Sequence, residues 1–178
     1  QEFLFQAVTN RKKINLLDIK KLLKFYQEYA VYGGYPRVVF AGKREDKIAI
    51  LQEIYSSYVE KEAIGFLAIK NRSAFSRLLK LLSTQVGQLF KIEELAMNLG
   101  VDRQTIERYI TALEDTFIIR KLSPYFRNPR QEIIKANKIF FLDTGLRNIV
   151  LGNLVAFEER LDQGAVLENT VFQELWSL

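Results

Sequence analysis

The chain has no cysteine and no histidine among its 178 residues. Without thiols there is no disulfide and no sulfur-ligated metal centre. Without imidazoles, a metal would rest on carboxylates and other oxygen donors, which argues against zinc. The commonest general base is missing too, leaving carboxylates, lysine or tyrosine for acid–base chemistry. No apolar run approaches the ~20 residues that span a bilayer. The opening QEFLFQAV lacks the basic start and small-residue cleavage site of a signal peptide. These absences point to a cytoplasmic protein with no membrane partner. Internal repeats and low-complexity tracts are also absent.

What is present suffices for a packed core: 48% of the residues are hydrophobic, in one moderate domain or two small ones. The net charge of +5 is unevenly spread. Residues 1–80 carry 15 basic against 8 acidic side chains, residues 81–138 carry 9 against 7, and residues 139–178 carry 2 against 6. A basic first half permits a polyanionic partner, although lysine-rich amphipathic helices are commonly just solvated faces.

Hydrophobic periodicity organises the chain. Leu16, Ile19, Leu22, Leu23, Tyr26, Tyr29 and Ala30 form one apolar face over 16–32, and Gly33 and Gly34 end that helix. Tyr35 before Pro36 should be extended or turned. A second helix is expected over about 45–64, with Ile48, Leu51, Ile54, Tyr55 and Tyr58 on one side, and a third from about Ser73 with Phe75, Leu78, Leu79 and Leu82. The tyrosines at 26, 29, 32, 35, 55 and 58 could stack on bases, but at helical spacing they suit the edge of a core.

Residues 90–126 then read as helix, tight turn, helix and strand, the order of a winged helix-turn-helix. Ile92, Leu95, Ala96 and Leu99 keep helical spacing, Gly100 stops the helix, and Ile106, Tyr109, Ile110 and Leu113 restart the period. Asp102 is placed to cap the second helix on the amide of Gln104 or Thr105. Residues 117–122 read as a strand, 125–132 as a polar turn, and Ile133–Ile134 with 138–142 as further extended segments, together a β-wing. The run IFFLD suits a buried strand, TGL turns into another helix, and a last helix from about Ala165 places Leu167, Val171, Leu175 and Leu178 at helical spacing.

Such a module offers two readings. In one, Arg103, Gln104, Arg108 and Thr111 face a DNA groove from the second helix, with Arg127, Arg130 and Lys135 of the wing on phosphates. Glu107 on the same face would repel phosphate. In the other, the module is a spacer or protein-docking unit whose outer face is merely solvated.

Four segments, YGGYP (32–36), LGVDRQTIERYITALEDTFIIRKLSPY (99–125), KIFFLDTGL (138–146) and GAVLENTVFQEL (164–175), together resemble the C-terminal region of AAA-type, archaeal-type ATP-binding proteins. That region is a domain of unknown function behind a P-loop domain. The resemblance implies a mainly helical α+β chain in three parts. A helical region (1–84) would follow the ATPase domain, a winged helix-turn-helix with β-wing would occupy 85–138, and 139–178 would be the truncated start of a PD-(D/E)XK-like, nuclease-like module. It implies ATP and Mg in the parent protein, but this chain has no GxxxxGK[ST] and so no phosphate cradle of its own. No cofactor is expected here. Partners would be DNA or protein, the chain's own ATPase domain, and a second copy.

By the same resemblance Asp143 and Glu168 match acidic positions of the nuclease-like part. Capping is the favoured alternative: Asp143 precedes Thr144-Gly145, Glu168 would lie in the first turn of its helix, and two carboxylates without further ligands hold a divalent ion poorly. The leading expectation is a non-catalytic docking fragment. The alternatives are part of an ATP-driven, DNA-processing nuclease-like enzyme, and a regulatory or dimerisation scaffold.

Overall fold

A computed structural model describes residues 16–57, 69, 71–123 and 137–177. Over these the protein is mainly helical with one two-stranded antiparallel sheet, an α+β arrangement. The helices are α1 (Leu16–Tyr32), α2 (Pro36–Phe40), α3 (Arg44–Ile54), α4 (Arg72–Thr84), α5 (Ile92–Leu99), α6 (Arg103–Asp115), α7 (Thr144–Leu151) and α8 (Gln163–Trp176), and the strands are β1 (Ile119–Leu122) and β2 (Lys138–Phe141).

The central core forms where the apolar faces of α4, α5 and α6 meet. Phe75, Leu78, Leu79 and Leu82 of α4, Leu95 of α5, and Ile106, Ile110 and Leu113 of α6 are buried, with Ile139 and Phe141 of β2 below them. Phe75 and Tyr109 meet edge to face at 5.4 Å. Local chemistry sets the ends. Asn71 caps α4 through the amide of Ala74 at 2.9 Å. The Asp102 carboxylate caps α6 on the amide of Thr105 at 2.8 Å, and Gly100 takes the left-handed conformation between α5 and α6.

In the sheet Ile119 lies opposite Phe141 and Leu122 opposite Lys138. On the other side of β2, the amide of Gly87 donates to Ile139 and that of Phe90 to Asn137, so the segment between α4 and α5 adds a short rung. Asn169 of α8 continues that side, its side chain accepting from the Phe141 amide and donating to the Phe141 carbonyl. On the free side of β1, the Glu114 carboxylate accepts the Lys121 amide at 3.0 Å.

α7 packs across α1 and α4 through a buried polar knot. The Arg147 side chain, 1% exposed, donates to the Ser83 carbonyl at the end of α4 and to Asp162. Arg160 donates to the same carboxylate. Asn148 donates to the carbonyls of Ala30 and Val31 in α1. One carboxylate shared by two guanidiniums thus ties three helices and the loop before α8.

Several expectations change. α3 ends at Ile54, with a looser turn to residue 57, instead of running to 64; residues 58–68, Tyr58 among them, lie outside the described ones. α2 was hidden by its brevity: Tyr35 is extended, as a residue before proline should be, but Pro36 opens a helix instead of a turn. The strand expected from 117 begins at Ile119, because Phe117 is left-handed at φ 55°. Along α1 only Ala30 and Val31 are buried, while Leu16, Ile19 and Leu23 of the same stripe are exposed. Residues 124–136, with the expected wing turn and Ile133–Ile134, lie outside the described residues.

Candidate functional site

The sequence nominated two places. The first is the outer face of α6. Its inner face buries Thr105, Ile106, Tyr109, Ile110, Ala112 and Leu113, which turns Arg103, Gln104, Arg108 and Thr111 outward together. Arg127, Arg130 and Lys135 lie outside the described residues. The electrostatics of the face are decided by its neighbours. Arg103 pairs with Glu93 of α5 at 3.0 Å and with Glu107 at 2.8 Å, and the bond to Glu107 holds its guanidinium above the usual range. Arg108 donates to the Thr105 hydroxyl at 3.0 Å. Residues 91–115 contain three basic and six acidic side chains. A surface that must displace counterions from phosphates needs the opposite balance.

The second place is the pair Asp143 and Glu168. Asp143 is 7% exposed. One carboxylate oxygen accepts the Leu146 amide at 2.8 Å, capping α7, and the other accepts the Gly34 amide at 2.8 Å. Burial pushes the carboxyl up to about 6, against the pull of the amides of Gly34, Leu146 and Gly145. Glycine is required on both sides of this contact. A Cβ on left-handed Gly33 would overlap the Asp143 carboxylate, and one on Gly145 would overlap the Tyr32 carbonyl. Glu168 sits in the second turn of α8, since the helix starts at Gln163 rather than near Ala165. It pairs with Lys138 at 2.9 Å and covers Gly87. The two carboxylates therefore meet different partners. Among the described residues no three acidic side chains converge as a metal cage requires.

The joining of YGG to DTG was not legible in the sequence, and a third strand of the knot was missed altogether. Gln173 of α8 donates to the Tyr29 hydroxyl at 2.8 Å and accepts the Thr144 amide at 3.1 Å. Thr144 in turn donates to the Tyr29 carbonyl. Burial, with a hydrogen bond to Glu174, pushes the Tyr29 phenol well above its usual range. Beside this knot opens a cleft of about 830 Å³, with Arg37 donating through both terminal guanidinium nitrogens to the Glu53 carboxylate at its rim. The glycines and the polar residue of each motif were visible signals, but nothing local says that they belong together.

Comparison with known proteins fits this geometry into a wider group. The family model described as a domain of unknown function, DUF8612, matches residues 23–155. That range takes in the Gly34–Asp143 contact and α6, and stops short of α8. An uncharacterised protein of Mycobacterium tuberculosis is 32% identical over 82% of this chain and 34% of its own length. One of Haemophilus influenzae is 31% identical over 85% of this chain and 38% of its own. One of Methanocaldococcus jannaschii is 24% identical over 98% and 39%. The chain thus spans somewhat more than a third of the length of these relatives. No solved structure matches it.

Proposed function

The chain belongs to the family of the domain of unknown function DUF8612, and from that premise we propose that it is a non-catalytic docking module of a longer AAA-type ATP-binding protein, with α4–α6 and the β1–β2 pair acting as a winged helix toward a protein target. The carrying observation is Arg103, the leading groove-facing candidate, held between Glu93 and Glu107. With acids outnumbering bases over α5 and α6 together, this favours a protein partner over a phosphate backbone. The winged-helix reading is supported by the order of three helices and a hairpin, with the added rung at Leu89 beside Lys138. The ATPase parent is supported by the four-segment resemblance; the relatives, longer than this chain, support only a longer parent.

By the same resemblance ATP and Mg would be held by that parent; this chain has no P-loop. The nuclease-like alternative draws on Asp143 and Glu168. Those side chains fit a divalent cation poorly: Asp143 would have to release the amides that tie α7 to the YGG turn, and Glu168 the Lys138 ammonium. A dimerisation role for the winged helix is tested by solution mass at high concentration, where a strict monomer removes it.

Fluorescence-anisotropy titration against a random DNA duplex at low and moderate salt tests the main reading. Protein docking predicts no salt-sensitive binding. Binding at low salt that weakens in Arg103→Ala and Arg108→Ala, with a flatter salt dependence, would replace it with the DNA reading.

A further inference from the structure

Three helices end in the same hydrogen-bonded turn, and one of them ends on an unexpected residue. After α5, Gly100 is left-handed and the next amide, Val101, reaches back to the Ala96 carbonyl. After α7, Gly152 is left-handed and Asn153 reaches back to Asn148. After α6 the same bonds run from Phe117 to Glu114 at 3.0 Å and from Ile118 to Leu113 at 2.9 Å, with Phe117 in the left-handed position. This Schellman turn favours glycine there, because a Cβ crowds the following carbonyl. Among the described residues Phe117 is the only non-glycine with positive φ. Burial of the ring would offset the strain, yet the residue is 70% exposed. Neither backbone preference nor core packing accounts for phenylalanine at this position, and strain kept at such a site points to a use for the side chain outside the fold.

The ring lines the 830 Å³ cleft together with Tyr35 and Trp176. Trp176 is half-exposed but held in place, stacked on Phe172 at 5.9 Å, with the Arg120 guanidinium 4.5 Å from its centroid. The polar lining has three carboxylates, Glu53, Asp143 and Glu174, against one guanidinium, Arg37, which Glu53 already binds. An excess of carboxylate among aromatic rings repels phosphate and attracts a cation with apolar flanks.

We propose that this cleft is a docking site for an arginine-bearing peptide segment of a partner protein, with Phe117 as its apolar anchor and Glu174 as its counter-charge. The site is separate from the α6 face and stands whether or not that face binds anything.

Trp176 is the only tryptophan of the chain, so its emission reads the cleft directly. The probe is a pool of blocked pentapeptides with arginine at the centre and alanine, valine or leucine around it, against a matched pool with central glutamate. The expected result is a saturable change in Trp176 emission with the arginine pool, weakened by salt and absent with the glutamate pool. Phe117→Gly and Phe117→Ala should both bind at least tenfold more weakly. Phe117→Gly should also keep or raise the thermal midpoint, since it relieves the strain, whereas Phe117→Ala should not raise it. No saturable change, an equal response to both pools, undiminished binding in both variants, or a lower midpoint in Phe117→Gly would each overturn the proposal. The last would show the ring packed against its own fold.

Discussion

The carboxylate of Asp143 lies 2.8 Å from the amide of Gly34, 109 residues earlier in the chain. Through this bond one side chain both starts α7 and anchors the turn that leaves α1. The glycines around it are therefore steric requirements. Gly33→Ala should cost roughly 2 kcal/mol or more, because it adds a Cβ in a left-handed position and drives it into the carboxylate. Gly152→Ala, also left-handed but facing open space, should cost only about 1 kcal/mol. Urea midpoints of the two variants check the difference.

The same carboxyl gives the protein an unusual response to pH. Its value near 6 lies above the ordinary 3.8, so the folded state holds this proton more tightly than the unfolded one. The stability it contributes is complete below about pH 4 and is lost as pH rises through 6, on the order of 3 kcal/mol. Asp162, held low by Arg160 and Arg147 despite its burial, acts oppositely, contributing above its ordinary value and losing that contribution in acid. With no histidine to titrate nearby in pH, stability should fall between about pH 4 and 6. Asp143→Asn should be less stable but flat there, and a slope persisting in the variant would assign it elsewhere.

Arg147 should be among the least replaceable residues. Arg147→Met keeps the stem and removes the charge, leaving the Ser83 carbonyl without its donor and Asp162 with Arg160 alone. A loss of about 3–5 kcal/mol is expected, read from thermal unfolding by circular dichroism. A variant as stable as the parent would mean that water replaces the guanidinium.

Asn169→Ala should cost about 2–4 kcal/mol, because both backbone groups of buried Phe141 lose their partner at once. Amide hydrogen exchange at Phe141 should accelerate with it, and an unchanged rate would show the bond to be dispensable.

Local patterns carried much of the fold. The 3.6-residue periods of α4, α5 and α6, the stop at Gly100 and the cap at Asp102 are each written within a few residues, and all appear in place. α1 was legible as a helix ending at Tyr32, but not in its burial: periodicity identifies a stripe and cannot say how far a partner covers it. Phe117 escaped because left-handed turns are read from glycine. The site was less legible than the fold. Asp143 could be recognised as a cap from Thr144 and Gly145, whereas its second partner, Gly34, depends on a long-range approach with no local signal. The outward set Arg103, Gln104, Arg108 and Thr111 followed from period alone, but the neutralisation of Arg103 by Glu93 required the packing of α5 on α6.

Each flank of the little sheet meets a side chain at one position. Asn169 imitates a neighbouring strand at Phe141, and the Glu114 carboxylate takes the outward amide of Lys121 on β1. An incoming extended peptide would have to displace the Glu114 carboxylate to pair with Lys121 of β1, or Asn169 to pair with Phe141 of β2, so both positions resist strand addition and edge-to-edge self-association.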